Sequence, residues 1–218
     1  MSLSRRAAAE ALGTALLLAA VVGSGIMAER LAGGNAALAL LANSLATGFA
    51  LIALIVAFAE RSGAHFNPVV TLALAWRGVL PKGDIAAYVT AQTAGALAGV
   101  ALAHLMFDLA LVQSPEKLRT GAGQWTGELV ATFGLVFLVL SITRKNAWAA
   151  PFAVGGYIAA AYWFTSSTSF ANPAVTLARG FTDTFAGIGL ANVPAFIGFQ
   201  LIGAALAVLA DRLVARRG

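Results

Sequence analysis

The sequence contains no cysteine and only two histidines. The first absence excludes a disulfide framework, a thiolate nucleophile and a Cys-ligated metal, and leaves the compartment unread from redox chemistry. The second excludes a His-rich metal site. Charge is also scarce, at 11% of residues, against roughly 25% in an ordinary soluble domain. What fills the space is apolar: 60% of the 218 residues are hydrophobic. Such a chain is neither an ordinary soluble domain nor disordered. Six membrane spans of about 20 residues would use about 120 and leave about 98 for loops and short elements, with no room for an appended soluble domain.

The formal net charge of +5 invites a nucleic-acid reading. The basic residues are dispersed between apolar stretches, without the stripe a phosphate backbone requires, so no nucleic-acid partner is expected. Arg5, Arg6 and the apolar run to Val22 resemble a signal peptide, but Glu10 interrupts the run and five more apolar segments follow. A retained span is expected.

Apolar stretches fall near 7–28, 36–59, 84–107, 126–143, 150–166 and 190–210. They predict helices, because lipid cannot satisfy open backbone groups and no ten-residue alternation suggests a barrel. With six spans both termini share a side. That side collects Arg5, Arg6, Arg61, Arg77, Lys82, Arg144, Lys145, Arg212, Arg216 and Arg217, ten in all, against Arg30, Lys117, Arg119 and Arg179 opposite. The positive-inside rule then puts both termini in the cytoplasm and the chain in the cell membrane. Small residues such as Gly95-xxx-Gly99 predict tight helix packing.

An internal repeat is the strongest signal. Residues 67–73 read Asn-Pro-Val-Val-Thr-Leu-Ala, and 172–178 read Asn-Pro-Ala-Val-Thr-Leu-Ala, at an offset of 105. Glu10-x-x-Gly-Thr14 is answered by Glu128-x-x-Ala-Thr132 at offset 118, and Gln92-x-x-Gly-Ala96 by Gln200-x-x-Gly-Ala204 at offset 108. The order is shared, so the chain reads as one channel domain over 1–218 with duplicated halves 1–113 and 124–218. Three spans per half is an odd number, which inverts the second half in the membrane. Asn is a strong N-cap and Pro is favoured at the first helical position, so Asn67-Pro68 and Asn172-Pro173 should each open a helix. The segments 68–77 and 173–179 are too short to cross. They should dip in and meet at the midplane, which is allowed only inside protein or along a cavity. The fold class is therefore all-α: six transmembrane helices plus two half-helices in an inverted repeat. Two facing helix N-termini would each present about half a positive charge, and each Asn amide can donate a hydrogen bond.

The segment Ser62-Gly-Ala-His-Phe-Asn-Pro68, with Asn172-Pro-Ala174, Glu10, Glu128, Gln92 and Gln200, resembles the aquaporin (major intrinsic protein) family over the whole chain. The first box departs modestly, with Val69 where Ala is usual. The resemblance implies one pore per subunit, a homotetramer in the bilayer, no cofactor and no metal. It implies that Asn67 and Asn172 orient solute at the midpoint and that their opposed helix ends exclude cations. Pro68, Val69, Pro173 and Ala174 complete the boxes, and His65 would line the cytoplasmic half. Glu10 and Glu128, intramembrane carboxylates that could otherwise form a proton relay, would accept hydrogen bonds from the pore loops. Gln92 and Gln200 are expected to serve helix packing, and His104 matches no family motif. The family filter would comprise Thr47, a fifth-span residue, Ser169 and position 175. Thr47 stands where water-selective members carry Phe, and Val175 where they carry Arg. For the fifth-span residue two alignments remain, Ala160 and Tyr162, the latter preferred. Arg179, four residues after Val175, could reach the outer mouth, but snorkelling to the interface is the expectation.

A filter without Phe and Arg should be wider and less polar. The leading function is thus a passive channel for small uncharged solutes, such as glycerol-like polyols, neutral metalloid acids or arsenicals, and water. The Tyr162-Trp-Phe-Thr-Ser-Ser167 stretch and Val175 resemble a bacterial subgroup associated with arsenicals. The alternatives are a water-selective channel and an ion-coupled secondary transporter. No Ser-His-Asp or paired-carboxylate arrangement supports an enzyme.

Overall fold

The computed structural model describes residues 1–142 and 146–214. Arg144, Lys145, Arg216 and Arg217, used above for orientation, lie outside the described residues. Eight α-helices follow in order: α1 Leu3–Leu31, α2 Ala36–Ser62, α3 Pro68–Trp76, α4 Ile85–Met106, α5 Ala122–Ile142, α6 Ala150–Phe164, α7 Pro173–Ala178 and α8 Val193–Val214. Five of them are long and apolar enough to cross a membrane: α1, α2, α4, α5 and α8. The sixth, α6, has 15 residues and spans about 22 Å at 1.5 Å per residue. It stops two residues short of the expected boundary because the chain leaves helical geometry at Thr165 (φ −112°, ψ 139°) to feed the second box.

Local signals place the ends. Asn35 Oδ1 caps α2 by accepting from the Leu38 amide, and Gly63 ends it at φ 92°. At α3 and α7 the caps are Asn67 and Asn172, each followed by Pro inside the first turn. Both half-helices are one residue shorter than expected, ending at Trp76 and Ala178.

The packing repeats between the halves. Helix α1 lies on α4, and α5 lies on α8. These contacts are backbone-close at the small residues. A Cβ on Gly95 would lie 2.2 Å from the Ala11 carbonyl, and one on the corresponding Gly203 would lie 2.4 Å from the Leu129 carbonyl. Helices α2 and α6 cross between the halves. Large apolar side chains such as Leu45, Phe49 and Val56 point outward, while Glu10, Gln92, Glu128 and Gln200 are fully buried. The spans turn apolar side chains outward, and the interior combines an apolar core with a set of buried polar groups.

Candidate functional site

Each half-helix is entered by a loop in an unusual backbone state. Ala64 and Phe66 before the first box, and Ser169 and Ala171 before the second, all have φ between 47° and 51°. Non-glycine residues there cost about 1–2 kcal/mol each, so other bonds must hold them. Those bonds come from the two buried glutamates. Glu10 Oε1 accepts from Ser62 Oγ (2.6 Å) and the His65 amide (3.0 Å), and its Oε2 accepts from the Phe66 amide (2.7 Å) and Gln92 Nε2 (2.8 Å). Glu128 accepts from the amides of Phe170 (2.8 Å) and Ala171 (2.9 Å) and from Gln200 Nε2. Each Gln also reaches the Thr on its half-helix: Gln92 Nε2 to Thr71 Oγ1 and Gln200 Nε2 to Thr176 Oγ1, both 2.8 Å. The glutamates and glutamines thus brace the box loops, and none of the four lines the cavity described below.

The boxes then lock to each other. Asn67 Nδ2 donates to the Ala171 carbonyl and Asn172 Nδ2 to the Phe66 carbonyl, both at 2.8 Å. Each Oδ1 caps its own helix, accepting from the Val69 amide at 3.1 Å in one case and from Ala174 at 3.0 Å in the other. An amide nitrogen carries two hydrogens. One is spent across the boxes, and the second remains for the space between them. Sequence reasoning assigned these donors to solute and missed this reciprocal lock.

Both Asn side chains border a cavity of about 120 Å³. A single water needs roughly 10–15 Å³ on the same measure, so there is room for on the order of ten waters. His65, Thr47, Tyr162, Ser169 and Val175 also lie on its wall, as does Val70, the repeat counterpart of Val175. Pro68, Val69, Pro173 and Ala174 do not; they shape the helix starts. Of the two fifth-span alternatives, Tyr162 lines the cavity and Ala160 does not. The Tyr162 hydroxyl meets Thr47 Oγ1 at 3.2 Å, and the residue is buried, whereas Ala160 faces outward. His65 Nδ1 is 3.1 Å from Thr71 Oγ1, which fixes its ring. His104 is off the wall, its ring nitrogens meeting the Leu111 carbonyl (3.0 Å) and Thr182 Oγ1 (2.8 Å).

Arg179 corrects an expectation. It does not snorkel: it is 2% exposed and its side chain lines the cavity with Val175. Helix α7 ends at Ala178, and a 3-10 turn over Arg179–Phe181 turns the side chain inward, where Nε donates to the Ala186 carbonyl. Its Cζ sits 3.4 Å from the Phe170 ring centroid. Arg119, from the α4–α5 connection, approaches the same ring at 4.9 Å and donates to the carbonyls of Gly187 (2.9 Å) and Ser167 (3.2 Å). Burial pushes the Arg119 guanidinium down to about 10, which leaves it cationic at neutral pH. No cluster of His, Cys, Asp or Glu able to hold a metal occurs among the described residues.

Comparison with known proteins agrees with this architecture. A family model described as Major intrinsic protein matches residues 1–169. The chain is 57% identical over 206 residues to aquaglyceroporin AqpS of Rhizobium meliloti, covering 94% of this chain and 88% of that protein. It is 34% identical over 163 residues to aquaporin Z of Rhodopseudomonas palustris, covering 67% of each. The solved aquaglyceroporin of Plasmodium falciparum superposes with a TM-score of 0.81 over 99% of this chain and 98% of that one, at 20% identity, a likeness of fold. The chain belongs to the major intrinsic protein family.

Proposed function

We propose that the protein is a passive channel for small uncharged solutes, namely glycerol-like polyols and neutral metalloid acids, together with water. The observation that carries this reading is the wall around Val175. An aliphatic side chain stands one helical turn from Asn172, on the same wall as the hydroxyls of Thr47 and Tyr162, and the cation on that wall, Arg179, comes from four residues further along the chain. Polyols present hydroxyls on one side and C–H on the other, and this wall offers both kinds of surface. The name of the R. meliloti relative, an aquaglyceroporin 57% identical to this chain, supports the same substrate class. A carboxylate proton relay would need a free carboxylate at the solute path, and Glu10 and Glu128 are fully buried off the wall with their oxygens bonded to the box loops.

In this reading the filter is Thr47, Tyr162, Ser169 and Val175, the boxes are the pore centre, and His65 lines the cytoplasmic half. The protein sits in the cell membrane as a homotetramer with both termini cytoplasmic, and 1–218 acts as one channel domain. The outward apolar faces of α1, α2 and α6 suit lipid or a neighbouring subunit equally. The test is stopped-flow light scattering on purified protein in liposomes, across a panel of osmolytes. Glycerol flux well above the protein-free control is expected. Water flux without polyol or metalloid flux refutes the proposal.

A further inference from the structure

The cavity wall contains a cation that the filter reading does not use. Arg179 is 2% exposed, yet neither ion pair among the described residues, Arg6–Asp84 or Arg77–Asp211, includes it. Among the described residues, no Asp or Glu side chain borders the cavity. Of the guanidinium nitrogens, only Nε finds a protein acceptor among the described residues, the Ala186 carbonyl. A buried charge without a carboxylate is costly, and a fold that keeps one inside a membrane is holding it for use.

Its surroundings hold it still. The Phe170 ring supports the guanidinium from 3.4 Å. The loop that carries Ala186 is pinned by the Gly187 carbonyl accepting from Arg119 Nε, and by the Ile188 amide donating to the Arg179 carbonyl at 3.2 Å. A second polar atom waits on the same wall: Ser169 Oγ is buried and has no hydrogen-bond partner. Arg179, Ser169 and the aliphatic side chain of Val175 therefore border the same cavity.

We propose that Arg179 is the specificity-determining cation of this channel, standing in from four residues downstream for the charge that Val175 lacks. Its terminal N–H groups, with Ser169 Oγ, donate to oxygen atoms of a passing neutral solute, and its charge turns back cations. A guanidinium only donates, so the solute must bring acceptors. The favoured class is a small molecule with two or more hydroxyl or oxo oxygens on a compact centre. Ammonium-type solutes are disfavoured twice, by charge and by lack of acceptors. Arg119 acts behind it as a positioning residue. The solute part rests on the channel function proposed above; the cation-exclusion part does not depend on which neutral solute passes.

The experiment compares wild type, Arg179→Gln and Arg179→Lys in matched liposomes, reading water, glycerol, proton and sodium permeabilities. Monodisperse elution and a cooperative thermal unfolding transition establish that each variant is folded. Arg179→Gln should raise proton or sodium leak at least tenfold and change the glycerol-to-water ratio at least threefold. Arg179→Lys keeps a point charge but loses the planar fork. It should hold the leak within twofold of wild type while shifting the ratio as Gln does. Folded variants with leak and ratio both within twofold of wild type overturn the proposal, and a Lys variant as leaky as the Gln variant overturns the charge role. If Gln does not fold, the Lys variant alone decides the solute role through its ratio. A wild type that passes neither glycerol nor a neutral metalloid acid defeats the proposed function, while the leak comparison still decides on Arg179.

Discussion

Replacing either buried glutamate by glutamine should destabilise the protein, and Glu10 should be the more sensitive site. Glutamine is nearly isosteric but turns one carboxylate oxygen into an NH₂ group. At Glu10 each oxygen faces one backbone amide, His65 on Oε1 and Phe66 on Oε2, so either orientation leaves one buried N–H without an acceptor. The same holds at Glu128, where Phe170 faces Oε1 and Ala171 faces Oε2. An orphaned buried donor costs about 1–3 kcal/mol. The remaining bonds lose their charge assistance, about 1 kcal/mol each. Glu10 accepts one bond more than Glu128: both Ser62 Oγ and the corresponding Ser167 Oγ accept from the amide two residues on, but Ser62 Oγ also donates to Glu10, at 2.6 Å. Relief from burying a charge is common to both sites, since both side chains are fully buried. The difference between the variants is therefore about 1 kcal/mol against Glu10→Gln, on top of a shared loss. Thermal unfolding in detergent, followed by tryptophan fluorescence, should rank wild type above Glu128→Gln above Glu10→Gln. Water flux in liposomes should fall in both as the box loops relax. A Glu128→Gln protein less stable than Glu10→Gln, or two variants as stable as wild type, would refute this account of the braces.

Asn67→Ala and Asn172→Ala should each lower stability by about 0.5–2 kcal/mol for the lost cap, with a further penalty from the orphaned carbonyl opposite; both should lower folded yield and weaken cation exclusion, and one silent site would break the argument. Val175→Arg places a second guanidinium one turn from Arg179. At about 6 Å and an effective dielectric constant of about 20 the repulsion is about 3 kcal/mol, so folded yield should drop and be restored by Val175→Arg with Arg179→Val. That double variant should pass less glycerol per water, and absence of rescue would show that the two positions do not share the lumen. Gly95→Ala and Gly203→Ala drive a Cβ into a facing backbone carbonyl and should each cost about 1–3 kcal/mol in unfolding assays, whereas Gly198→Ala, with nothing within 4 Å, should be neutral or slightly stabilising.

The fold was legible because its determinants are local and repeated. Asn-Pro ahead of an apolar run is a strong helix-start signal, and its recurrence after an odd number of spans forces the inversion. The Glu and Gln pairs were legible as pairs; the family resemblance already implied that the glutamates hold the pore loops, and the structure added that the glutamines bond to them and to the half-helices. Tyr162 over Ala160 was harder: two residues apart on a helix is about 200°, so a two-residue uncertainty in alignment exchanges inside for outside. Arg179 was misread because its direction depends on where α7 stops and on a carbonyl seven residues later, Ala186, in a loop without periodicity. The Asn–carbonyl exchange between the boxes was invisible for a similar reason. It joins groups more than a hundred residues apart, with no sequence signal beyond the boxes themselves.

That exchange also sets a timetable for biogenesis. Asn67 finds its acceptor 104 residues downstream, at Ala171, and Asn172 donates back across 106 residues to Phe66. While the ribosome has delivered only the first half, α3 has been made but the Phe66 carbonyl and the Asn67 amide have no counterpart. At about 5–20 residues per second, the wait for the second box is on the order of 5–20 s. During that interval the first re-entrant segment has to be sheltered from lipid, by water, by the insertion machinery or by staying outside the bilayer. The first half can therefore be translated, and even inserted, without being finished; its last structural bonds are made by residues that emerge after α6.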